Sequence, residues 1–105
     1  MRCRKCAPVP EEVRRAADLL ERRYSLSIVY ACHSGASRFN ELRQALGAVP
    51  PGTLAARLVE LEEAGLLERR VIDARPPRVE YVLTERGQML ESLISALDRF
   101  ASATA

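Results

Sequence analysis

The chain is 105 residues long, 48% apolar and 29% charged, with a formal net charge of +2. That is enough for one globular core, and no apolar run approaches the roughly 20 residues a membrane-spanning helix needs. The basic start, MRCRKCAPVP, lacks the apolar segment of a secretory signal, so a cytoplasmic location is expected, and three cysteines do not make a disulfide framework.

Charge is unevenly spread. Residues 1–34 carry seven Arg/Lys against four acids, whereas residues 50–70 carry three against four. Lys5 is the only lysine, and arginine forks suit phosphate and guanine. Residues 1–9 read as a flexible basic arm, ahead of a single domain over 10–105. Pro10 is a favourable first helical residue, and Glu11 and Glu12 suit the positive end of a helix. Val13, Ala16, Ala17 and Leu20 then recur at helical spacing, which predicts a helix over about 10–22. The mostly apolar run Tyr24–Cys32 predicts a buried second helix, with Cys32 a small core residue and His33 at the helix end.

Ser37-Arg38-Phe39 reads as a short extended piece. Asn40 is predicted to cap the next helix and Gly47 to stop it. Pro50-Pro51 opens a further helix with the buried stripe Leu54, Leu58 and Leu61, ended by Gly65. Two β-type runs follow, Leu66–Ile72 and Val79–Thr84, joined by Asp73-Ala74-Arg75-Pro76-Pro77-Arg78. Thr84 is predicted to cap a last helix with Met89, Leu90, Leu93, Leu97 and Phe100 on one side.

The predicted fold class is α+β and mostly helical: a winged helix-turn-helix with extra N- and C-terminal helices used for dimerisation. The helix-turn-helix spans about 40–65, the wing about 66–84 and the C-terminal dimerisation helix about 85–102. The terminal helices carry more apolar surface than so thin a domain covers alone, so a homodimer through both is expected. A winged helix lays one helix in a DNA groove while the wing reaches phosphates or the minor groove. Double-stranded DNA is therefore the expected partner. Thr53, Ala56 and Arg57 are the candidate base readers, Ser37, Arg38 and Asn40 the candidate backbone contacts, and Arg75 and Arg78 the wing contacts.

Cys3 and Cys6 form a CxxC among Arg2, Arg4 and Lys5, a setting that favours the thiolate. A redox pair, half of a metal site and an inert tail are all open readings. Cys32 and His33 are adjacent and point about 100° apart on a helix, which makes joint ligation awkward. No metal and no cofactor are expected, the effector is not named by any residue, and no catalytic constellation or phosphate-cradling loop points to an enzyme. The alternative to DNA recognition is a winged helix used as a protein-interaction module.

The runs RFNELRQALG, LAARLVELEEAGLLERRV and PPRVEYVLTERGQML resemble the HxlR-type branch of MarR-like winged-helix transcription regulators, over about residues 19–100. The resemblance implies a homodimeric bacterial repressor or activator on a palindromic operator, paired through its terminal helices. It also implies an oxidant- or electrophile-responsive cysteine ahead of the first helix. Three features depart from the branch. Tyr24 stands after Arg23 where tryptophan is usual, and Cys6 precedes Ala7 rather than Pro-Val, 18 residues before Tyr24. The recognition helix opens on Pro50-Pro51-Gly52-Thr53 with Ala55 and Ala56, where polar residues are usual.

Overall fold

The computed structural model describes residues 6–104. Among these the order is α1 (Glu11–Glu21), α2 (Ser25–His33), α3 (Phe39–Ala45), α4 (Pro51–Glu63), β1 (Leu67–Ile72), β2 (Arg78–Leu83), α5 (Glu85–Gln88) and α6 (Glu91–Thr104). This is a winged helix-turn-helix, mostly helical with a two-stranded antiparallel sheet. Cys3 lies outside the described residues.

α2 is the centre of the core. Its Ile28 and Val29 are fully buried, and they sit with Leu42 of α3, Leu54, Leu58 and Leu61 of α4, Leu66, Leu67 and Ile94. A helix apolar on nearly all sides is stable only when surrounded, and α2 touches α1, α3, β2 and α6. By contrast α1 buries no residue; only Leu19 and Leu20 lean on the core.

The turn between α3 and α4 uses Gly47 at φ 79° and Ala48 at φ 61°. Arg43 donates Nε–H to the Val49 carbonyl at 3.0 Å, which clamps the turn to α3. The wing strands run in the register Leu67↔Leu83, Arg70↔Glu80, Ile72↔Arg78. Residues 37 and 38 add a third, minimal edge: Tyr81 N–H donates to the Ser37 carbonyl at 2.7 Å, and Arg38 bridges Glu80.

That edge explains one correction. Asn40 is not the cap of α3; the cap position is Arg38, and Asn40 is the second helical residue. Pairing with β2 holds Ser37 and Arg38 extended, and Glu41 reaches back to accept both of their N–H groups at 3.0 and 2.9 Å. This is the carboxylate half of a capping box.

A second correction concerns the last helix, which is two. Thr84 does cap as expected, but it caps the short α5: its Oγ accepts the Gly87 N–H at 3.0 Å and donates to the Gly65 carbonyl. A turn at Met89–Leu90 then precedes α6. The expected stripe is split by ordinary helical spacing, since at 100° per residue Leu90, Ile94 and Leu97 share one side and Met89, Leu93 and Phe100 lie to the flank of it. Ile94 is buried, Leu90 and Leu97 are half-buried, and Met89, Leu93 and Phe100 face outward. Among the described residues no helix is long and apolar enough to cross a membrane.

Candidate nucleic-acid interface

The phase of α4 decides which of its side chains are available. At 100° per residue, Arg57 lies only about 70° from the centre of the Leu54–Leu58–Leu61 stripe, on the edge of the buried face. The structure agrees: the Arg57 side chain is 17% exposed. Its Nε–H donates to the Arg23 carbonyl at 3.0 Å, and Nη1 donates to the Glu60 carboxylate at 3.3 and 3.4 Å. Glu60 also pairs with Arg22 at 3.2 Å. Arg57 is thus tied into the protein, which corrects its expected place among the side chains offered to base edges. Thr53 is half-buried on the same flank. Of the expected readers only Ala56 is exposed, and its neighbours on that face are Gly52, Ala55 and Val59. Gly52 and Val59 were missed, although the leucine spacing alone places both opposite the core, with Ala55 about 90° from the stripe centre.

The other candidates gather at the opposite end of the motif. Arg38, Phe39, Asn40, Glu41, Arg78 and Val79 line one open cleft of about 360 Å³ where α3 begins beside the wing. Arg38 and Asn40 are exposed there, while Ser37 is half-buried and spends its backbone on Tyr81 and Glu41. Arg78 is exposed and donates Nε–H to Glu80 at 3.1 Å. Arg75 stands exposed in the connection between the strands. The structure therefore brings Arg38, Asn40 and Arg78 together and holds Arg75 at the tip, but sets Arg57 apart from them.

Among the cysteines, Cys32 is a free, buried thiol in the core. Burial pushes it up to about 11, so it stays protonated and unreactive near neutrality. Cys6 is exposed and disulfide-bonded. No cluster of His, Cys, Asp or Glu among the described residues is arranged to hold a metal.

With this geometry in view, sequence comparison is decisive. The profile of the HxlR-like helix-turn-helix family matches residues 19–105. The chain belongs to that family. It is 35% identical over 88 residues to the HTH-type transcriptional regulator YvaP of Bacillus subtilis (strain 168), covering 84% of this chain and 82% of that protein. The reduced form of the transcriptional regulator YodB from B. subtilis superposes with a TM-score of 0.79 at 30% identity, covering 90% of this chain and 92% of that one. The redox regulator HypR in its reduced form gives a TM-score of 0.79 at 30% identity, covering 89% and 92%. Membership makes this HxlR-like chain a DNA-binding transcriptional regulator and not an enzyme.

Proposed function

We propose that this regulator acts in the bacterial cytoplasm as a homodimer on a palindromic operator, with α4 in the major groove of each half-site and the wing on the flanking backbone. The observation that supports this best is the cleft shared by Arg38, Asn40 and Arg78, which gathers donors from the start of α3 and from β2. Arg75 extends the same basic edge to the wing tip. The dimer is supported by α1, which has no fully buried residue in its own chain, and by the outward Val13 and Leu93. Family membership favours DNA over the protein-interaction alternative.

Gel shifts across a salt series test the reading. Binding should weaken steeply with salt, with a log–log slope of about −0.9 per phosphate contacted. Arg75→Gln with Arg78→Gln should weaken all duplexes alike and shallow that slope by roughly one for each phosphate no longer neutralised. A flat salt response would remove the DNA interface from these residues.

A thiol response is a second reading. It is favoured by Cys6, exposed, disulfide-bonded and just ahead of α1, and by similarity to YodB, whose structures include a reduced and a diamide-treated form. Cys3 and Cys6 would then be the reacting pair, acting through α1. Operator affinity measured before and after diamide, in the native chain and in Cys6→Ser, tests it: a response that survives Cys6→Ser excludes the pair.

A further inference from the structure

We infer that α4 reads its half-site through methyl groups, with Ala55, Ala56 and Val59 meeting the 5-methyl groups of thymine rather than hydrogen-bonding base edges. The inference rests on α4 entering the major groove, as proposed for the operator complex. Between Pro51 and Val59 the exposed residues are Pro51, Gly52, Ala55, Ala56 and Val59, and none has a polar side chain. The two polar residues in that stretch are withdrawn. Thr53 is half-buried, and the Arg57 guanidinium is occupied by the Arg23 carbonyl and by Glu60. Val59, one turn further along the same face, is left 52% exposed.

Base pairs present four kinds of feature in the major groove: acceptors, amino donors, ring edges and the thymine methyl. A face of methyl groups complements only the last. Set against guanine or cytosine edges, it would strip water from donors and acceptors and return no partner, which is unfavourable. The same face therefore selects thymine-containing steps and rejects G·C pairs at the contacted positions. The absence of long side chains at Gly52, Ala55 and Ala56 also lets the helix backbone sit close to the groove floor, where short methyl groups can reach.

The test uses the full-length protein and a pool of random-sequence duplexes made with thymine. Sequences enriched by binding are resynthesised with deoxyuridine in place of thymine, which removes the methyl and keeps every hydrogen-bonding group. Each buried methyl is worth about fourfold in affinity, so contacts in two half-sites should cost roughly tenfold or more on replacement. Single replacements should localise the loss to the same positions in each half-site. Val59→Ala and Ala56→Gly should both shrink the thymine-to-uracil ratio, whatever they do to overall affinity. An enriched duplex bound equally well with uracil overturns methyl reading while leaving the DNA-binding role intact. So does a ratio unmoved by both variants. A pool in which no sequence is enriched overturns the operator-binding reading itself, and this inference with it.

Discussion

Arg57 of α4 donates its Nε–H to the backbone carbonyl of Arg23, 34 residues earlier, at 3.0 Å. Arg23 lies between α1 and α2, next to Tyr24, which adopts φ 75°. Glu60 completes the link by pairing with both Arg57 and Arg22. The recognition helix is thus fastened at its middle to the corner from which α1 departs. In the proposed dimer, where α1 lies at the interface, this fastening passes the position of α1 to the helix that meets DNA.

Arg57→Ala should behave as removal of a structural tie and not of a DNA contact. Without its donor the Arg23 carbonyl is stranded, which should cost about 1 kcal/mol. For a domain of this size that lowers Tm by roughly 4–8 °C. The salt slope of DNA binding should stay that of the native protein, because every phosphate keeps its cationic partner. A slope shallower by about one would return Arg57 to the DNA interface.

Two glycines should respond oppositely to alanine. Gly87 lies in α5 against the Leu66 carbonyl, and a Cβ there would overlap that oxygen and press on Leu83. Since the carbonyl accepts the Thr84 N–H, the backbone cannot yield without breaking the α4–α5 clasp. Gly87→Ala should therefore destabilise by about 2 kcal/mol or more. Gly52 is in α4 with nothing near its Cβ position. Gly52→Ala should raise stability by about 0.5–1 kcal/mol through helix propensity. Thermal unfolding of the two variants beside the native chain checks both signs.

Much of this was legible from residue order. Apolar spacing and stop residues predict α1 to α4, and Gly47 and Gly65, both at positive φ, end α3 and α4 as their positions suggest. The missed start of α3 has a non-local cause: Ser37 and Arg38 are held extended by β2, more than 40 residues away, and no local cap signal carries that. The broken last helix is similar. Thr84 and Gly87 bind α5 to the end of α4, and a turn at Met89–Leu90 separates it from α6. Arg57 is different. Its place beside the buried stripe follows from helical spacing, and only its acceptor, a carbonyl in the α1–α2 corner, required the folded chain.

Glu41 supplies a pH dependence. Accepting the Arg38 and Ser37 N–H groups holds its carboxyl below the ordinary value of 4.5. A carboxyl lowered in the folded state stabilises fully above its unfolded value, and the contribution fades as pH falls through the folded one. Native Tm should therefore drop more steeply below about pH 4.5 than that of Glu41→Gln, with the two curves running parallel well above it. Curves that stay parallel below about pH 4.5 as well would mean that the ionised carboxylate adds nothing to the start of α3.

The dimer is tested by charging its proposed faces without disturbing the core. Val13 on α1 is 52% exposed and Leu93 on α6 is 45% exposed, so neither is needed to fill the interior of one chain. A glutamate at either position leaves the monomer's packing in place but buries an unpaired charge if two copies meet there. Sedimentation at micromolar concentration should give a dimer for the native chain and a monomer for Val13→Glu combined with Leu93→Glu. The monomer should keep native helix content by circular dichroism, yet lose most of its preference for a two-half-site duplex over a single half-site. That loss follows because two recognition helices must be held about one helical turn apart, roughly 34 Å, to engage both half-sites at once. A variant that remains dimeric moves the interface off α1 and α6, and a native chain that sediments as a monomer removes the two-fold operator from the proposal.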